Sequence, residues 1–279
     1  MNKETKIINP ENFTNKTNQY ENQQNKSNLK IINGNDTTEY MRNKYNFFCS
    51  ITTITSSIPY SGGSYIGKNI VLTAAHVVYN SNINNIKVRF NKKNLYDNGL
   101  SYTVKKILIH PNYNTETLDN DIALIFLDKN PINDGIKFVY LPSERLSKKL
   151  YINGKLSIIM GYGTTISEEV NQPFNQKYAL INILDKNKVE FPSEWITENM
   201  IVAGDYNDPD DPNDNEDTCQ GDSGGPLFGN YGYKRSTVIF GITSWGVGCG
   251  LDNLPGVYTK VGNYTNWIYQ NWNYDKLEL

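Results

Sequence analysis

Three short stretches, far apart in the chain, carry residue types that can do chemistry together. Ser223 lies in "GDSGGP", between Gly221 and Gly224. Neighbours without side chains let a substrate carbonyl approach and let the backbone take unusual angles. A serine hydroxyl is a poor nucleophile until a base removes its proton, so it needs a histidine, and the histidine needs a carboxylate to orient it. The chain has two histidines. His76, in "IVLTAAHVV", ends a β-like run that turns into small alanines, whereas His110, in "ILIHPNYN", precedes a proline at a strand exit. Asp121, in "LDNDIALIFL", directly precedes a strongly apolar strand and is expected to be buried, and a buried carboxylate needs partners. Asp119 sits on the loop side, where solvent serves it. Taken singly, a G-x-S-G pattern is often only a turn, and an isolated histidine is more often a structural residue than a catalytic one.

The elements that would have to position these groups read as β. After residue 30, short segments rich in Ile, Val, Tyr, Phe and Thr ("FFCSITTI", "SYIGKNIVLTA", "YTVKKILI", "DIALIFL", "KLSIIMGYG", "TVIFGITSWG") alternate with Gly, Pro, Asn and Asp clusters, the pattern of an all-β sandwich or pair of barrels. Only the tail "NYTNWIYQNW" spaces its apolar residues as a helix does, with Tyr264, Trp267, Ile268 and Trp272 on one face. Residues 1–30 are polar and without periodicity, a disordered leader that cannot bury enough surface to offset ordering. A net charge of −2 excludes the basic footprint of a nucleic-acid binder. No apolar run reaches the roughly 20 residues that span a bilayer, and the leader lacks the apolar core of a signal peptide. Three scattered cysteines suit neither a disulfide scaffold nor a zinc site. The N-x-S/T triplets at Asn12, Asn15, Asn25, Asn35 and Asn263 carry little weight in so asparagine-rich a chain.

"IINGND", "LTAAHV", "DNDIALI", "CQGDSGGPL", "SWGVGCG" and "PGVYTKV" stand in the order and at the spacings of one family. From Ile31 onward the chain resembles a trypsin-like serine protease of the chymotrypsin family. The resemblance implies an all-β fold of two six-stranded antiparallel barrels, with the active site in the cleft and a C-terminal helix, over residues 31–279. It implies that His76 is the general base, Asp121 the orienting carboxylate and Ser223 the nucleophile, with the N–H groups of Gly221 and Ser223 as the oxyanion hole. Ser244 would support Asp121 from behind. Ser244, Trp245 and Gly246 would pair with the substrate backbone as an added strand.

The resemblance also implies a specificity. Asp217, six residues before Ser223, would lie at the base of the pocket that receives the side chain preceding the cut; Glu216 is its neighbour, but "DTCQGDS" shows no insertion. A carboxylate at the end of a narrow slot matches Arg or Lys and penalises apolar side chains. Gly246 and Gly256 match the bare walls along which a long side chain enters. Asp222 would form an ion pair with a new α-amino group at Ile31, released by cleavage after Lys30, so the full chain reads as a zymogen and residues 1–30 as an activation propeptide. Protein or peptide substrates with Arg or Lys before the cut, an activating protease and protein inhibitors are the partners implied. No cofactor, metal, nucleic acid or membrane is expected, and the protein is expected to be a monomer.

The chain departs from the family pattern in four places. Ser61 and Val77 occupy the positions of a disulfide that brackets the histidine, and Val202 removes another bridge. Cys219 and Cys249 keep the counterparts of a bridge across the pocket, and closing about 30 residues is worth roughly 3 to 4 kcal/mol in the loop-entropy picture. Cys49 is left as a small buried apolar group. The acidic loop "GDYNDPDDPNDNED", with Asp and Asn oxygens suited to calcium, lacks a fixed ligand spacing and reads as a solvated loop. "RFNKKNLYDNG", where calcium-binding relatives carry glutamates, is basic, so no calcium is expected there. The family is secreted, which the leader does not explain. A catalytically inactive homologue and an ester-cleaving serine hydrolase are the competing readings.

Overall fold

The computed structural model describes residues 34–163, 172–204, 221–231, 236–247 and 254–272. Its first six-stranded body is a closed antiparallel barrel of β2 (Phe48–Thr53), β3 (Pro59–Gly67), β4 (Ile70–Thr73), β5 (Ile86–Phe90), β6 (Leu100–Ile109) and β7 (Ala123–Leu127), in the order β2-β3-β4-β7-β6-β5. Closure leaves no strand edge free to pair elsewhere. The stretch "SYIGKNIVLTA" is not one strand but most of a hairpin. Gly67 and Lys68 both take positive φ, 121° and 53°, and turn β3 into β4.

The second body contains β8 (Leu156–Gly161), β9 (Lys177–Ile183), β10 (Met200–Gly204), β11 (Pro226–Tyr231), β12 (Ser236–Trp245) and β13 (Gly256–Lys260). They run β9-β10-β13-β12-β11-β8, and the β8–β9 pairing closes the ring. The short β1 (Asn35–Asp36) adds to β9 at Tyr178 and Lys177. The fold is therefore two closed six-stranded antiparallel barrels, as the family resemblance implies. Buried Ile51, Ile70, Leu72, Val88, Phe90 and Phe126 fill the first barrel, and Ile159, Ile181, Leu227, Val238 and Phe240 fill the second. Burying each such side chain is worth about 1.5–3 kcal/mol.

Four α-helices occur among the described residues. The tail helix α4 (Thr265–Gln270) is the one that its spacing predicts, and it buries Ile268 against the first barrel's core. Two others were not expected: α1 (Glu39–Lys44) and α3 (Glu144–Leu150). Each is held by its cap rather than by an apolar face. Thr38 Oγ1 accepts from the Met41 N–H at 3.2 Å, and Ser143 Oγ accepts from the Leu146 N–H at 3.2 Å. α1 buries no residue and α3 only Leu150, so neither has a stripe for periodicity to detect. The fourth, α2 (Ala75–Val78), is a single turn and carries His76. Among the described residues no helix is long and apolar enough to cross a membrane.

Candidate active site

His76 is placed by β4, whose four residues are all buried, and by the turn of α2 that follows it. Asp121 is placed by β7, wholly buried along Ala123–Leu127 and paired to β4 from Thr73↔Ala123 to Ile70↔Phe126. This pairing brings together two residues 45 positions apart. His76 Nδ1 lies 2.7 Å from Asp121 Oδ2, and the His76 backbone N–H donates to Oδ1 at 2.9 Å. Asp121 is 0% exposed and the imidazole 27%, so the carboxylate is sealed while the ring keeps an open side. With Nδ1–H donated to the carboxylate, Nε2 carries the free lone pair.

The second barrel supplies the remaining donor to Asp121. Thr243 pairs with Tyr258 and Trp245 with Val257, so Ser244 is the extra residue of a bulge in β12. Bulges re-aim side chains, and here the Ser244 hydroxyl donates to Asp121 Oδ2 at 2.5 Å. Thr259 Oγ1 donates to the Asp121 carbonyl at 2.8 Å. Three donors thus serve a fully buried carboxylate, which is what makes its charge tolerable there.

Burial alone would push the His76 imidazole down, but the charge of Asp121 and its hydrogen bond together outweigh burial and hold the pKa above the ordinary 6.5. A ring partnership flanks this pair. Tyr79 and Tyr113 meet edge-on at 5.7 Å, and burial together with the Asp121 charge pushes the Tyr113 phenol well up.

The loop bearing Ser223 is pinned from both barrels. The Ser223 carbonyl accepts from the Gly62 N–H at 2.9 Å and from the Ser61 hydroxyl, both on β3. The Gly224 N–H donates to the Thr243 carbonyl at 2.8 Å, on β12. Gly224 has φ +75°, and a Cβ there would lie 2.1 Å from Thr73 Oγ1, so only glycine lets this loop approach the end of β4, three residues before His76. Gly221, with φ +96°, is the other position that requires glycine. Asp222 is buried, and its carboxylate accepts from the Gly163 N–H at 2.8 Å.

The expected pocket residues are described in part. Gly246 directly follows β12, and Gly256 opens β13, where it pairs with Ala203 of β10. Trp245 packs edge-on against Phe191 at 5.2 Å and Trp195 at 6.5 Å, over a cluster that includes Val202, Val247 and Leu254. Asp217, Cys219, Cys249, Lys30 and Ile31 lie outside the described residues, as does the acidic loop beyond Gly204.

Asp119 and Lys92 have contacts that sequence reasoning did not assign, whereas Cys49 is as expected. Asp119 is not simply solvated: it accepts from Thr197 Oγ1 at 2.7 Å and Asn199 Nδ2 at 3.1 Å, tying the loop before β7 to the second barrel. Its partners are 78 and 80 residues away, which local sequence does not reveal. Cys49 is a free buried thiol, its pKa pushed well up by burial, as a small apolar group should be. The basic "RFNKKNLYDNG" segment is organised around Lys92, whose ammonium donates to the carbonyls of Ser57 at 2.9 Å, Leu95 at 3.0 Å and Asp97. Burial lowers this ammonium to about 8 despite the nearby Asp97 charge, with a further push from Arg89.

The family model for trypsin matches residues 31–268. The chain is 37% identical over 235 residues to trypsin of Sus scrofa, covering 78% of this chain and 92% of that protein. It is 33% identical over 216 residues to Trypsin Blo t 3 of Blomia tropicalis, covering 75% and 76%. Vitamin K-dependent protein C of Mus musculus is 34% identical over 218 residues, but there the match covers 75% of this chain and only 45% of the relative. With the family model running through both barrels and into the final helix, the chain belongs to the trypsin-like serine proteases of the chymotrypsin family and is a serine-type endopeptidase.

Proposed function

We propose that this endopeptidase cleaves after Arg or Lys through Ser223, His76 and Asp121, and that it is made as a zymogen activated by cleavage after Lys30. The observation that carries the catalytic part is the sealed Asp121 carboxylate holding His76 Nδ1 at 2.7 Å, which leaves Nε2 as the proton acceptor. Ser223 Oγ attacks the scissile carbonyl while Nε2 takes its proton. The oxyanion is received by the N–H groups of Gly221 and Ser223, where losing one donor costs about 3 kcal/mol of transition-state stabilisation. His76 returns the proton to the leaving amine, an acyl-enzyme forms on Ser223, and water releases it by the same steps in reverse order.

Basic specificity rests on the position of Asp217 relative to Ser223 and on Gly246 and Gly256, whose lack of side chains leaves room for a long substrate side chain. Activation rests on two features. Asp222 is a carboxylate 2% exposed behind the nucleophile, and Lys30 immediately precedes the "IING" start of the family match. A new ammonium at Ile31 is the partner such a carboxylate suits. Substrates are proteins; an activating protease and protein inhibitors are the further partners this reading implies, and the Cys219–Cys249 bridge would tie the pocket walls.

The test is hydrolysis of fluorogenic peptides ending in Arg, Phe or Ala, by the full chain before and after limited cutting at Lys30, with Ser223→Ala and Lys30→Gln alongside. Activity on the Arg peptide should rise on cutting and be absent from Ser223→Ala. Full activity in an uncut Lys30→Gln chain would overturn the zymogen, and equal rates on Arg and Phe peptides would overturn the specificity.

A further inference from the structure

We propose that Ser61 is a positioning residue for the nucleophile, its buried hydroxyl holding the Ser223 carbonyl so that the serine side chain stays aimed at the substrate. The inference rests on the catalytic reading above. It begins from a departure that the family resemblance implies: Ser61 and Val77 stand at the two positions of an expected disulfide, and neither carries a sulfur. Ser61 is 2% exposed. A hydroxyl so buried must find a partner inside the protein or leave its hydrogen-bonding capacity unmet. It donates to the Ser223 carbonyl at 2.5 Å, across 162 residues and from one barrel to the other.

The effect follows from the bonds around that carbonyl. Its oxygen takes two donors from β3, the Ser61 hydroxyl and the Gly62 N–H at 2.9 Å. The nitrogen of the same peptide unit, Gly224 N–H, donates to Thr243 on β12 at 2.8 Å. On the other side of Ser223, the Asp222 carbonyl accepts from the Gly225 N–H at 2.8 Å. Peptide units are planar, so both planes that flank the Ser223 Cα are held and with them the direction of its Cα–Cβ bond. Ser61 is the only side chain in this set. Catalysis depends steeply on such placement, since a displacement of about 1 Å of a reacting group is worth about 100-fold in rate.

The same strand supplies a matched control. Ser64, three residues on, is equally buried, and its hydroxyl has no hydrogen-bond partner among the described residues. The experiment compares wild type, Ser61→Ala, Ser61→Cys, Ser61→Thr and Ser64→Ala as full chains cut after Lys30, reading kcat and KM on the Arg peptide and the rate at which a fluorophosphonate labels Ser223. Loss of one buried hydrogen bond sets the scale at about fivefold to tenfold. Ser61→Ala should lose that much in kcat and in labelling rate with KM unchanged. Ser61→Cys, of nearly the same size but a weak donor, should follow it, and Ser61→Thr should recover most of the loss. Ser64→Ala should match wild type.

If Ser61→Ala fails to fold, Ser61→Cys against Ser61→Thr carries the comparison. Equal kcat in Ser61→Cys and wild type would overturn the proposal, as would an equal drop in Ser64→Ala. A wild-type chain that takes no label on Ser223 would instead overturn the catalytic reading itself, so the two failures are distinguishable.

Discussion

The chain's two histidines sit in regions that treat the same side chain in opposite ways. His76 has a buried carboxylate on Nδ1, and its pKa is held above 6.5. His110, at the exit of β6, is enclosed by the rings of Tyr264 at 5.1 Å and Trp267 at 4.9 Å. Burial pushes its pKa down, and the charge of Asp119 only partly restores it. One imidazole is polarised to accept a proton, and the other is a wedge between the first barrel and the tail helix. Residue type permits the chemistry. The partner on Nδ1 decides whether it happens.

Exchanging each histidine breaks the comparison most sharply. On the proposed mechanism His76→Ala should lower kcat by about a million-fold, the scale for removing the histidine of such a triad. His110→Ala should keep kcat within about twofold but lose about 1–3 kcal/mol in urea unfolding, because its ring contacts leave a cavity. A His110→Ala enzyme without activity would show that the two regions are not separable.

The pH dependence sharpens it. On the proposed mechanism His76 must be neutral to act, so kcat/KM should fall about tenfold per pH unit below a midpoint that lies above 6.5. Stability moves the other way at this residue. A raised folded-state pKa means the protonated form is better held in the native state, so its contribution is full below pH 6.5 and is lost as pH rises through the raised value. For His110 the sign reverses: the native state prefers the neutral ring, and stability falls as pH drops below 6.5 toward the lowered value. A kcat/KM midpoint below 6.5 would contradict the role of Asp121.

The smallest effect tests the third donor. Ser244→Ala removes one of three hydrogen bonds to Asp121 and should lower kcat about threefold to tenfold with KM nearly unchanged. Unaltered kcat would mean that the two bonds from His76 are enough to hold the carboxylate.

Much of this was legible in the chain, for physical reasons that differ by element. Strands such as "DIALIFL" are buried on both faces, so their apolar runs stand out. The tail helix has a face to bury and therefore a period. α1 and α3 have caps but no face, so they passed unseen, and "SYIGKNIVLTA" concealed a hairpin because its turn rests on two positive φ angles rather than on a proline or an Asn-Gly pair. At the site, His76, Asp121 and Ser244 each stand in a motif that the family resemblance singles out, and the structure brings His76 and Ser244 within hydrogen-bonding distance of Asp121. Asp119 was misread as solvated because its partners come from a segment about 80 residues on.

By itself the sequence determined which residues are available for proton transfer and nucleophilic attack, and which strands must bury them, because side-chain chemistry and apolar patterning are local properties. Only the tertiary structure decided that a carboxylate 45 residues from His76 receives both its ring and its backbone, and that the Ser61 hydroxyl reaches the carbonyl of Ser223. Those contacts depend on the closure of two barrels and on where their surfaces meet, which is a property of the whole chain and of no segment of it.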